Sequence, residues 1–305
     1  MKQRVWLSIL TVAALALAGC GKTTSSLQAP VGGGAPAGSD EAQVSAIVES
    51  NPDVVDEDVW QSLNAQSYDN SVGMAAIRPL RFWRNITSVE RSVDTQFGEP
   101  DGDGRPTRAL VTVSKHLLGT FNILAGAAEL TDTTRARVSK PINDQWTRKL
   151  VFVRMPAPAD SGRGRWHLVG SSGVDVHTRG GVTRIQSLRI QSASLDTLIT
   201  DPLELHRLRH VMLFQPGAPV TLTVNTGNAS DVVLFYGRDA RRRFINNGDG
   251  SFRFEFPAGQ FPGLRHLGVD ALSNGTLFDD AAAYDSNAWM IAFAVDPMRA
   301  PIDRN

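Results

Sequence analysis

Beyond Asn85 the apolar residues of this chain recur at every second position, and clusters of turn residues interrupt them at short intervals. A period of two puts successive side chains on opposite faces of a strand, whereas a helix needs apolar residues every three or four positions. Val89, Arg91, Val93, Thr95 and Phe97 follow this rule after Ile86-Thr87, and the turn Glu99-Pro-Asp-Gly-Asp-Gly-Arg-Pro106 ends the run. Asp101-Gly-Asp-Gly104 lacks the later ligands of a calcium loop, so it reads as hairpin chemistry. Ala109–Leu118 and Phe121–Leu124 return as strand. Trp146–Met155 and Arg165–Thr178 follow, joined by the Pro/Gly-rich loop 156–164. Further on, Val182–Gln191, Val220–Val224, Asp231–Tyr236, Arg241–Ile245, Ser251–Phe256, Gly263–Ala271 and Ala288–Val295 are short strands at sandwich spacing.

Helical signals precede the strands. Asp40 and Gln43 can form a capping box, Val44, Ile47 and Val48 line one face, and Asn51-Pro52 ends the run. A second helix is expected from Asp53, with Val55, Val59 and Leu63 at four-residue spacing. Its carboxylates Asp53, Asp56, Glu57 and Asp58 fit a helix N-terminus better than a calcium site. Met74–Trp83 and Thr200–Phe214 could each hold a short helical turn. The expected fold class is therefore an α+β domain over 41–180, with helices packed on a curved antiparallel sheet, followed by an all-β sandwich over 181–305. The element order over about 45–178 resembles the cone-shaped NTF2-like group, which implies a curved sheet wrapping a helix around a pocket. Pro262-Gly-Leu-Arg-His-Leu-Gly-Val-Asp-Ala-Leu-Ser-Asn-Gly-Thr276 resembles the late strand and turn of bacterial immunoglobulin-like modules. That resemblance implies an Ig-like β-sandwich lacking the paired cysteines of antibody domains.

The N-terminus carries Lys2 and Arg4, then an apolar run of fourteen residues, Val5–Ala18. Such a run is too short to cross a bilayer as a helix but suits a secretory signal. It ends Leu17-Ala18-Gly19-Cys20, which resembles the lipobox of bacterial lipoproteins. The resemblance implies removal of residues 1–19, acylation of Cys20 on its thiol and amino group, and anchorage in a lipid bilayer. A non-lipidated signal peptide with a coincidental cysteine is the alternative. Gly21, where an aspartate would hold a lipoprotein at the inner membrane, implies the outer membrane, at its periplasmic face or at the cell surface. Residues 20–40 continue as a linker of small residues, Thr23–Asp40, whose r.m.s. span is roughly 25 Å. Gly19-Cys20-Gly21-Lys22-Thr23 imitates a phosphate loop, but Ala16 stands where that loop needs glycine.

Little else points to chemistry. Cys20 is the only cysteine, which excludes an intrachain disulfide, a Cys-based zinc site and a CxxC redox pair. With 31 Lys+Arg against 31 Asp+Glu, no global field recruits nucleic acid. His206 and His210 are four apart, but Arg207 replaces the glutamate of a metalloprotease helix. Gly170-Ser-Ser-Gly173 near Asp175 and His177 lacks nucleophile-elbow spacing, and triad members on one strand cannot converge. The pocket candidates are His116, Asp175 and His177, with Asp94 and Trp166 on the same inner face if the sheet encloses a cavity. A histidine–carboxylate pair there could move protons. The Arg241-Arg242-Arg243 cluster suits an anionic headgroup or glycan phosphate more than nucleic acid. Asn85-Ile-Thr87, Asn228-Ala-Ser230 and Asn274-Gly-Thr276 match the glycosylation pattern but read as turn and strand residues. No metal ligand set or cofactor motif is present. The pattern implies a tethered, non-enzymatic envelope lipoprotein that binds or scaffolds a protein or polysaccharide partner. The alternative is a small-molecule-binding or catalytic pocket in the N-terminal domain, with the sandwich as a stalk.

Overall fold

The computed structural model describes residues 38–51, 66–67, 77–126, 135–155, 165–236 and 241–296. Cys20 and the helix expected from Asp53 lie outside the described residues. Helix α1 (Asp40–Ser50) begins at Ser39, whose hydroxyl accepts the Ala42 N–H at 3.1 Å, one residue before the cap that the sequence suggested. Strand β1 (Gln66–Ser67) is short, and a meander of four long strands follows: β2 (Arg78–Phe97), β3 (Arg108–Gly126), β4 (Arg135–Met155) and β5 (Arg165–Thr178). The second half adds β6 (Ser187–Ser192), β7 (Leu195–Ile199), β8 (His206–Arg207), β9 (Met212–Phe214), β10 (Pro219–Asn225) and β11 (Val232–Tyr236). It ends with β12 (Arg241–Arg243), β13 (Ile245–Asn246), β14 (Ser251–Pro257), β15 (Gly263–Leu272), helix α2 (Asn274–Phe278) and β16 (Ser286–Val295).

One eleven-stranded sheet runs through both halves in the order β1-β2-β3-β4-β5-β16-β15-β11-β12, with β8 pairing on β5 and β9 on β16 to the side of this path. Its central seam is antiparallel, with His177 opposite Asn287 and Val174 opposite Met290. A five-stranded sheet, β13-β14-β10-β6-β7, packs on the outer face of the C-terminal strands. Leu267, Val269, Ala271, Trp289, Ile291 and Phe293 meet Leu188, Ile190, Leu222, Phe252 and Phe254 there.

The opposite face of the large sheet looks into a curl. At one end Val44 and Val48 of α1 pack on Val111, Val113, Trp146, Leu150, Phe152 and Trp166. At the other end Phe82, Phe121, Ile123 and Ile142, from β2–β4, touch Leu234, Tyr236, Leu272, Leu277 and Tyr284. Strands distant in sheet order thus meet face to face, and this contact defines the curl. A bulge between Ile86 and Ser88 interrupts the β2–β3 ladder, the kind of irregularity that bends a strand. Opposite it, a side chain on Gly119 would put its Cβ 2.1 Å from the Asn85 carbonyl oxygen, so this close approach requires glycine.

This architecture overturns the expected fold class. The described residues are 64% strand with only two short helices, so among them no helical layer covers the sheet as an α+β domain requires. Nor does an NTF2-like cone form. The residues expected to make a helical turn before Trp83 enter β2 at Arg78. The N-terminal sheet extends instead through β5 into β16, and one sheet of the expected Ig-like sandwich is its continuation. The physical reason is the edge of β5: β16 pairs with it along Val174–His177 and supplies backbone partners that a helix cannot offer.

Candidate functional site

Two groups of polar side chains stand out, one sealed inside the curl and one on its outer face. The inner group centres on Arg84 of β2, which is fully buried. Its Nη1 lies 2.9 Å from Asp270 Oδ2 on β15, and its Nη2 donates to Asp270 Oδ1 at 3.0 Å. Nη1 also donates to the Tyr236 hydroxyl at 2.7 Å, and Nε donates to the Tyr284 hydroxyl at 2.8 Å. Tyr236 in turn donates to Asp270 Oδ2 at 2.9 Å. The guanidinium also stacks over the Phe121 and Tyr284 rings at 5.6 and 5.5 Å. Burial opposes the charge on Arg84, yet Asp270 and the two tyrosines outweigh it and hold the guanidinium pKa well above its ordinary value.

Asp144 of β4 extends this network. Its carboxyl accepts from Thr178 Oγ1 at 2.9 Å and from the Tyr284 hydroxyl at 3.1 Å. Burial pushes its pKa up to about 6, against the pull of Arg84. Burial likewise pushes Tyr236 up to about 12 and Tyr284 well above the ordinary phenol value. Lys140 donates to the Gly275 and Asp279 carbonyls of the β15–β16 connection at 2.7 and 2.5 Å, and burial lowers its pKa. Chemically, the cluster fastens β2 and β4 to β11, β15 and α2. Its groups bond to one another, and Arg84, Asp144 and Asp270 expose 1%, 0% and 0% of their surface.

The residues singled out from the sequence lie elsewhere. His116 of β3, Gln145 of β4 and His177 of β5 form one row across the outer face. The histidines are two strand spacings apart, roughly 10 Å, and do not meet. His116 Nε2 lies 2.7 Å from Asn143 Oδ1, and its Nδ1 lies 3.6 Å from Glu90. His177 Nδ1 lies 2.8 Å from Asp175 Oδ2, and the carboxylate can only accept, so Nδ1 carries the proton. Asn287 donates to Asp175 Oδ1 at 2.9 Å and to the Val176 carbonyl, which fixes the pair from the neighbouring strand. The arrangement could orient an imidazole, but it does so on a strand face and not in the curl, where Val174 and Val176 point.

Asp94 is exposed on β2. Trp166 is buried, and its Nε1 donates to Asp40 of α1 at 2.9 Å. His206 sits in β8 and His210 in a 3-10 turn, both exposed, so the helical spacing that would align them is absent. Ser171 and Ser172 are buried and serve β4, with Arg148 Nε donating to Ser171 and the Lys149 N–H donating to Ser172. Asp101 ties its own turn, accepting from the N–H groups of Asp103 and Arg105. Among the described residues no group of three or more His, Cys, Asp or Glu is placed to hold a metal ion. No described helix is long and apolar enough to cross a membrane.

Sequence reasoning missed the inner cluster altogether. Its one local signal was Asp270 inside the otherwise apolar Leu267–Leu272, a charge that such a strand can bury only with a partner. No protein-family model matches the chain, and no curated protein is similar to it.

Proposed function

We propose that the protein is an outer-membrane lipoprotein, anchored through acylated Cys20, whose β-body is a non-enzymatic binding or scaffolding module for an envelope protein or polysaccharide. One observation carries the binding-module reading. The curl is filled by Trp146, Trp166, Phe82, Phe121 and Phe152, each 2% exposed or less, while the histidine–carboxylate pair sits on the outer strand face. A small-molecule enzyme would need the reverse, a hollow interior with those groups pointing into it. The linker also ends on a firmly held element. Asp40, at the start of α1, accepts from Trp166 and lies 3.6 Å from Arg154, so tension on the tether reaches the long strands directly.

Two measurements test this reading. Cys20→Ser should abolish incorporation of labelled palmitate and move the protein from the membrane pellet to the soluble fraction. Unchanged membrane association would overturn the anchor. Crosslinking in the native envelope, read by mass spectrometry, should return one abundant partner. An array of unrelated neighbours would overturn the scaffold.

A further inference from the structure

The tip between β14 and β15 carries an interaction surface. From Pro257 to Leu264 the chain holds no charged residue, and Phe261 and Leu264 are 76% and 54% exposed. The tip is braced. The Ala258 N–H donates to the Ala218 carbonyl at 2.8 Å, and the Gly217 N–H donates to the Ala258 carbonyl at 3.1 Å. Arg265 Nη2 donates to the Phe261 carbonyl at 2.9 Å, and its guanidinium lies so close to Gly259 that a Cβ there would come within 2.8 Å. Pro262 stiffens the same turn. Two large apolar side chains are thus held outward, beside a cation, on a tip with no charge of its own. Such a tip is built for contact with an apolar phase or partner.

The place of the tip in the fold says which contact it makes. Strand β16 runs antiparallel to β5, so Ala294 and Val295, which face Leu264 and Gly263, lie toward the start of β5. That is the end at which Trp166 and Arg154 hold Asp40, the first residue of α1. The chain from Cys20 therefore enters the body at the end that carries the tip. With a span of roughly 25 Å, the linker keeps this end beside the bilayer at an effective concentration on the order of mM. Even a contact too weak to hold a free protein is populated there. We infer that Phe261 and Leu264 insert into the interface of the bilayer that Cys20 anchors, with Arg265 at the level of the headgroup phosphates. The inference rests on the anchorage proposed above. Anchor and tip together make two points of attachment, so the body lies at a set tilt with its far end, beyond Thr178, directed away from the membrane.

The test uses the acylated protein reconstituted in phosphatidylethanolamine–phosphatidylglycerol vesicles that contain a spin-labelled phospholipid. Acylation blocks Cys20, the only cysteine, so Phe261→Cys supplies a single thiol for a fluorescent label. Val182→Cys is the control, because Val182 is 86% exposed and follows Thr178 at the opposite end of β5. The spin-labelled lipid should quench the label at 261 at least ~threefold more than the label at 182, as for a group held at the acyl boundary. Adding Leu264→Asp to Phe261→Cys should bring quenching down to the level at 182, with an unchanged thermal midpoint because the site is exposed. Equal quenching at 261 and 182 in protein that pellets with the vesicles would overturn the tip contact and leave the anchor standing. Quenching indifferent to Leu264→Asp would overturn it as well. Shielding of the 261 label from iodide without quenching by the lipid would put a second copy on the tip in place of the bilayer. Protein that stays in the supernatant would overturn the anchorage, and this contact with it.

Discussion

Arg84 is one side chain that makes four polar contacts to three partners, Asp270, Tyr236 and Tyr284, with no access to water, and that makes it the residue on which the closed curl depends most. Its removal would leave Asp270 buried with Tyr236 alone. Breaking a buried pair in this way costs about 3–5 kcal/mol, more than the pair itself contributes. Arg84→Met should therefore lower the denaturation midpoint steeply, and adding Asp270→Asn should restore part of the loss. Strictly additive losses would contradict a direct coupling. Asp144 gives the network a pH signature. Its folded pKa of about 6 lies above the ~3.9 of an unfolded aspartate, so the folded state holds a proton that the unfolded state has released. Its contribution is full below about pH 4 and is lost as pH rises through about 6. Relative to the wild type, Asp144→Asn should gain about 2 kcal/mol between pH 4 and pH 7, and parallel stability–pH curves would refute this. The Asp175–His177 pair was legible because the two residues are neighbours on one strand face. Arg84 and Asp270 are 186 positions apart, and no local pattern joins them.

At the scale of the elements, strands were legible where alternation was unbroken. Val220-Thr-Leu-Thr-Val224 lies within β10, with Val220, Leu222 and Val224 fully buried. The first half of β4 was not legible, because Pro141 and the polar stretch from Lys140 to Asp144 suggest a break. Pro141 is accommodated since pairing with β5 begins only at Asp144, and Lys140 and Asp144 are polar because they face the inner network. Elements also depend on single glycines. Gly119→Ala would drive a Cβ into the backbone of Asn85 and Ile86 at the bulge and should cost at least about 2 kcal/mol. Gly102→Ala, with nothing within 4 Å of its Cβ, should stay within about 0.5 kcal/mol of wild type. Chemical denaturation of both variants checks the contrast, and equal effects would mean that the Asn85 backbone does not crowd position 119 at this bulge.

For the whole molecule, the composition of each half was legible but not their junction. The helical signal at residues 40–51 is real, yet α1 is one short helix held by Trp166 and the valines of the curl, too little for a layer. What completes the long strands is β16, and its pairing with β5 joins residues more than a hundred positions apart, a distance no periodicity spans. Pairing of β5 with β16, the Arg84–Asp270 bridge and the Lys140 bonds to the α2 region all cross between the halves. The molecule should therefore unfold as one unit, and a chain ending at residue 180 should fail to fold because β5 loses its partner. Amide hydrogen exchange through a denaturant titration, followed by mass spectrometry of peptides from β3, β4, β10 and β14, tests this directly. Coincident loss of protection in all four strands is the predicted result. Continued protection of β10 and β14 after β3 and β4 have opened would show two independent bodies, and would contradict a single sheet locked across its own curl.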